Sequence, residues 1–325
     1  MLNRRILRVK VFKVLYSRYI CPELSYESAK SQLNLSLESS RTLYYYILSM
    51  VAPLTEVAAK RIEDLKSLST AEKGVTDPNV KFAENLLAKY LTSDPDFKKA
   101  AASLPSWANY DIFLKRLYSD ILTRDYYKEY LASGKSSLDE DCALFAKIFR
   151  NEFEDREEFL DILETTTVER KKSDDETLFW NDDAYYCLAY AAKVLSKKGF
   201  RFEVPRLFVS DSDPSKQSDR EFTFNLLEKA FVGFESYRDT LMSFVPDTRF
   251  KDKVNSVDIC LCLTALAEIV AFPEIPVKVS INEYLEISKY FGSEQSTAFV
   301  NGLLSTAIKK FQEDGLVVKT GAGLL

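Results

Sequence analysis

PVKVSINEYLEISKYFGSEQSTAFVNGLL, residues 276–304, punctuates two consecutive helices. Ser280 and Glu283 make an S-x-x-E capping box for the first. Gly292 stands where a helix stops in the left-handed conformation. Ser293 can cap the second helix, along which Phe299, Leu303 and Ala307 recur at four-residue spacing on one face. Local chemistry of this kind predicts an all-α chain.

The remaining sequence agrees. Asn3 is placed to cap a first helix running to about Tyr19. A long second helix is predicted from about Leu37 to Leu68, kinked by Pro53. Shorter helices follow over about 78–103, then a long one over 107–132. Ser137 and Glu140 form a capping box for a helix to about 152, and the acidic stretch 155–170 continues as helix. A further helix covers 182–198. Residues 200–217, with Pro205, Pro214 and a Ser/Asp cluster, read as a loop or linker. Ser218 and Glu221 open a helix to about 232, followed by one over 235–245. Asn255 and Asp258 cap a helix to about Phe272, and Pro273 and Pro276 make a rigid connection into the opening stretch. The last residues, GLVVKTGAGLL, read as a loose tail.

Hydrophobic residues make up 46% of the 325 and charged residues 29%, a balance that supports a packed core rather than disorder. The basic start lacks an apolar signal core, and no stretch approaches the length of a membrane span. The five cysteines are scattered and odd in number, which fits a reducing cytoplasm and not a disulfide framework. Cys260 and Cys262 point to opposite sides of a helix and are not read as a metal pair. There is no histidine, which removes the commonest general base and metal ligand. With 9 glycines, no phosphate-cradling loop motif occurs. No catalytic residue, metal or cofactor is expected, and the chain is read as not an enzyme.

A net charge of −5 conceals an asymmetry. Residues 1–18 carry Arg4, Arg5, Arg8, Lys10, Lys13 and Arg18 and no acid, whereas residues 151–185 carry thirteen acids against four bases. On the first helix Leu7, Val11, Val14 and Leu15 share the core arc, with Arg4, Arg5 and Arg8 on a neighbouring arc. Cations in a first turn oppose the macrodipole by about 0.3–1 kcal/mol each, which suggests service to something outside the helix, with phosphate the candidate. The alternative is a solvated basic end. The acidic stretch reads as a solvated helix face, without a calcium-loop pattern.

The wording I-N-E-x-x-E-x-x-K-x-(F/Y)-G followed by F-V-N-G-L-L, at 281–304, resembles the C-terminal signature of the NusB family. A-L-A-E-I at 265–269 is similar to a second family motif. R-R-x-x-R at 4–8 and Leu15-Tyr16 resemble its Arg-rich opening helix. Residues of about 65–215 look like the helical insertion of a long branch of that family. The resemblance implies a NusB-like pair of helical bundles with a large all-helical insertion. The expected organisation is 1–60, N-terminal NusB-like helices; 61–217, insertion; 218–315, C-terminal bundle; 316–325, flexible tail.

It further implies an RNA-binding transcription antitermination factor acting in the cytoplasm on ribosomal RNA transcription. The implied partners are single-stranded boxA-like RNA, the small-subunit ribosomal protein NusE and the RNA polymerase antitermination complex, with no membrane. Candidate RNA contacts are Arg4, Arg5, Arg8, Lys289, Gln295 and Phe299, and Asp258 is a candidate partner contact. Phe299 reads equally as core or as a ring stacked on a base, Lys289 as a phosphate contact or a surface lysine, and Gln295 as a base contact or a solvated cap. Asn282, Glu283, Asn301 and Gly302 read as structural: cap, capping-box partner, interhelical hydrogen bond and close packing. Replacing Arg4, Arg5 and Arg8 is expected to spare folding, because the apolar seam survives.

The family pattern is departed from at Leu263, where an Arg is usual, at Gln295, where an acid is common, at Ile6, and around Arg249, Phe250 and Lys253. The competing reading is a non-enzymatic helical adaptor that keeps the NusB fold but has lost RNA binding. An RNA methyltransferase would need a Gly-rich cofactor loop that residues 65–215 lack.

Overall fold

The structure is a computed structural model that describes residues 1–69, 79–154, 156–172, 183–209, 218–245 and 254–324. Pro214, Arg249, Phe250 and Lys253 lie outside the described residues. Every regular element among the described residues is helical, with one isolated bridge between Leu2 and Phe208. The all-α expectation therefore holds.

The chain divides into two compact units, Met1–Asn34 with Arg206–Leu325, and Leu35–Pro205. The sequence-based boundaries at 60/61 and 217/218 differ from these by some 26 and 12 residues. The first division falls inside a helix, where composition changes little and no turn residue marks it.

The first unit is built around one helix. Its members are α1 (Arg4–Ile20), the start of α2 (Tyr26–Ser49), α11 (Asp219–Val232), α12 (Phe234–Ser243), α13 (Ser256–Ala271), α14 (Val277–Phe291) and α15 (Ser296–Glu313). Helix α13, SVDICLCLTALAEIVA, carries apolar residues on every side, and a helix of that pattern must be covered all round. It packs against α1, α11, α12, α14 and α15, and every residue from Asp258 to Ile269 is buried. The loop before α11 also contributes: Leu2 N–H donates to the Leu207 carbonyl at 2.8 Å.

Several local expectations are corrected here. Helix α14 starts at Val277 with Pro276 at its N-cap, so Ser280 and Glu283 lie within it and form no capping box. Asn282, exposed, is likewise not a cap. Gly292 is extended (φ −95°, ψ 179°), not left-handed. Its lack of a side chain serves close approach, since a Cβ there would come within 2.5 Å of Ser296 Oγ and 2.7 Å of the Ser288 carbonyl. Gly302, in contrast, faces open space and Asn301 is exposed, so neither joins helices.

The final residues are not loose. Lys319 Nζ donates to the Ile269 and Phe272 carbonyls at 2.8 and 3.0 Å at the end of α13, the second of which also accepts from Ile275 N–H. Thr320 N–H donates to the Pro273 carbonyl, and Gly323 is buried so close to it that a Cβ would sit 1.9 Å away. Desolvation holds the Lys319 ammonium below its usual pKa.

The second unit contains the rest of α2, then α3 (Val51–Ser69), α4 (Leu86–Ser93), α5 (Pro95–Ala101), α6 (Asp111–Thr123), α7 (Asp125–Ala132), α8 (Leu138–Asn151), α9 (Glu157–Lys172) and α10 (Ala184–Leu195). Pro53 does not kink a long helix. The chain breaks at Met50, and Pro53 falls in the first turn of α3, where its missing N–H costs nothing. The predicted helix over 107–132 is broken at Arg124, which is extended. Ser137 caps α8 by accepting from Glu140 N–H at 3.2 Å. The core is aromatic: Trp107 stacks on Tyr46 at 4.4 Å and donates its indole N–H to the Tyr46 carbonyl. Phe82 meets Tyr118, Tyr127 and Phe145.

Candidate nucleic-acid interface

The site grows from the first two turns of α1. Asn3 caps the helix by accepting from Ile6 N–H at 3.0 Å, which fixes where Arg4, Arg5 and Arg8 emerge. Each arginine meets a carboxylate from the C-terminal part of the chain. Arg4 Nε lies 3.0 Å from Asp219 at the start of α11. Arg5 binds Glu283 through Nε at 2.9 Å and Nη2 at 2.8 Å. Arg8 binds Glu268 of α13 through Nε at 2.7 Å and Nη2 at 2.8 Å, and approaches Glu283 at 3.6 Å. The Phe222 ring lies under the guanidinium carbons of Arg4 and Arg8, at 4.9 and 5.3 Å.

Burial separates the three. The Arg8 side chain is 5% exposed and that of Glu268 0%, so this pair sits in the core. Glu268 also accepts from Ser280 Oγ at 2.7 Å and the Tyr284 hydroxyl at 3.1 Å. Both its oxygens are thus doubly satisfied, the condition under which a buried ion pair is tolerable. Burial works against the Arg8 charge, yet the hydrogen bonds and charge of Glu268 outweigh it and hold the pKa above the usual value. Burial, reinforced by Glu268, pushes the Tyr284 hydroxyl well up, so it remains a donor. The hydrogen bond to Glu283 leads in raising Arg5, and the same bond lowers Glu283.

Arg8 therefore serves the core as a structural cation at the floor of the site, and, against the expectation from sequence, its loss is not expected to spare folding. The helical wheel carried a signal for this: at about 100° per residue, Arg8 falls only about 20° beyond Leu15 on the core arc. Arg4 and Arg5 keep side-chain exposures of 33% and 45%, enough to meet a ligand. They open onto a cavity of about 480 Å³ whose other walls are Asn3, Arg8, Glu274, Ile275, Pro276, Val279 and Glu283. Asp219, Glu268 and Glu283 offset the three arginine charges, so the site offers directed N–H donors more than a strong positive field.

The remaining candidates do not line this cavity. Lys289 is exposed and paired with Glu286 at 2.5 Å. Gln295 is exposed at the N-cap of α15, and Phe299, one turn on, is half-buried. Asp258, the candidate partner contact, is 4% exposed inside the first unit, close to Ser296. Leu263, at the place of the expected arginine, is fully buried. No signal in the sequence marks Asp219 and Glu268 as partners of the arginines, or Ser280 and Tyr284 as donors to Glu268, because carboxylates and hydroxyls within helices have no period of their own.

Compared with known families, residues 190–309 match the NusB family. A Clostridium botulinum protein named transcription antitermination protein NusB is 30% identical over 28% of this chain and 71% of its own length. Proteins of the same name from Salinibacter ruber and Herpetosiphon aurantiacus are 30% and 34% identical, covering 35% and 31% of this chain and 69% and 71% of theirs. No solved structure matches. A family match at the C-terminal helices, and relatives covered over more than two thirds of their length, lead to one conclusion: the chain belongs to the NusB family.

Proposed function

We propose that this chain is a non-enzymatic, RNA-binding transcription antitermination factor of the cytoplasm. It binds single-stranded boxA-type RNA together with the ribosomal protein NusE, within the RNA polymerase antitermination complex on ribosomal RNA operons. The observation that carries the reading is the state of Arg5. Two of the five guanidinium N–H donors go to Glu283, and the pair fixes the plane of the group while the side chain stays 45% exposed. Membership of a family whose relatives are named transcription antitermination protein supports it.

The adaptor reading draws on one observation, the match of three carboxylates to three arginines. A titration with boxA-like RNA at several salt concentrations, with and without NusE, decides between them. For an RNA factor, Arg5→Ala weakens binding and flattens the salt dependence by up to about 0.7 slope units, the value of one single-strand phosphate contact. Glu283 already offsets the charge, so the measured change should lie below that ceiling. Absence of RNA binding by the parent chain at saturating NusE leaves the adaptor.

A further inference from the structure

Tyr290 is 79% exposed on the last turn of α14, and its neighbour Phe291 turns inward onto Phe12 at 5.6 Å. Lys13 Nζ stands 5.7 Å from the Phe291 ring. Two turns back, Arg5 holds Glu283. The contacts advance by the same number of residues on each helix (5 to 13, and 283 to 291), so α1 and α14 run parallel along one seam. Tyr290 follows Glu283 by seven residues and so shares its face, on the open side of the seam. Glu286 and Tyr290 both lie within electrostatic range of the Arg5 guanidinium.

A single exposed tyrosine is ordinary on a protein surface. What distinguishes this one is its place two turns along α14 from Glu283, which holds the half-exposed Arg5 guanidinium in orientation. Lys13 adds a second cation to the seam. An aromatic face beside guanidinium donors is the combination that holds an unpaired nucleotide, with the base on the ring and the phosphate on the cation.

We propose that Tyr290 and Arg5 together hold one nucleotide of a single-stranded RNA, the base stacked on the Tyr290 ring and the phosphate on the half-exposed Arg5 guanidinium. This rests on the RNA-binding reading above.

The test uses the full chain with boxA-like RNA carrying 5-iodouridine. Tyr290→Ala should bind that RNA about 5- to 150-fold more weakly, the range of one stacked base, while Tyr290→Phe stays near the parent. Irradiation should crosslink the RNA to the peptide containing Tyr290. Thermal unfolding of both variants should match the parent, because the ring is exposed. If Arg5→Ala weakens RNA binding and Tyr290→Ala does not, the stacking proposal falls and the RNA reading stands. If Tyr290→Ala weakens NusE binding without RNA and leaves RNA binding unchanged, the seam is a protein surface and the proposal is overturned. If the parent chain binds no RNA at saturating NusE, both fall.

Discussion

Removing the Arg8 side chain tests the central claim about the opening helix. Arg8→Ala would leave the Glu268 carboxylate, 0% exposed, without its cation. Ser280 and Tyr284 would still donate to it, but neither carries charge. Breaking a buried pair from one side costs about 3–5 kcal/mol, against a typical whole-domain stability of about 5–15 kcal/mol. Arg5→Ala breaks a bidentate but half-exposed pair and should cost at most about 1 kcal/mol. The sharper consequence is one of sign. Adding Glu268→Gln to Arg8→Ala removes the orphaned charge; the amide oxygen still accepts from one hydroxyl and the amide N–H2 donates to the other, so the double variant should be more stable than the single one. Urea unfolding of the full chain, followed by circular dichroism with the slope held common, measures all three. The reasoning is refuted if Arg8→Ala costs no more than Arg5→Ala, or if Glu268→Gln brings no recovery.

Two further outcomes follow from buried and half-buried groups. Desolvation raises the Asp258 carboxyl above its usual pKa, and its Oδ1 has no partner, so the folded state holds that proton more tightly than the unfolded one. Stability should therefore fall as pH rises from the unfolded value of about 3.9 through the higher folded value. Asp258→Asn should lose that slope and be the more stable protein at neutral pH, with the difference closing in acid; an unchanged slope would exclude Asp258 as its source. Phe299 is half-buried, so Phe299→Ala should cost less than the ~3–5 kcal/mol of a fully buried phenylalanine, which thermal unfolding would show. A loss within that range would return it to the core, and RNA affinity of the same variant reads its other role.

Much of the fold was legible because helix formation is local. The apolar periodicity of α1 and the Ser137, Ser218 and Asn255 caps are each decided by residues within a few turns. The family itself was legible in the wording of 276–304. Errors arose where a local signal had two outlets. A serine and a glutamate three apart suit a cap, but Ser280 and Glu283 turned instead to Glu268 and the arginines. A proline marks a kink or a first turn, and at Pro53 only the break at Met50 chose between them.

The sequence by itself determined that this chain is helical, that its first helix is basic on one side of an apolar seam, and that its C-terminal helices carry the NusB wording. Tertiary structure alone decided which arginines stay exposed and which is a core cation. Arg4, Arg5 and Arg8 are the same residue type within two turns, and their pattern cannot rank them. The ranking comes from Asp219, Glu283 and Glu268, whose separations from them in the chain run from 215 to 278 residues. Burial costs a cation its hydration, so the arginine directed at α13 required a carboxylate there, and only the packing of α1 against α13 and α14 sets that direction.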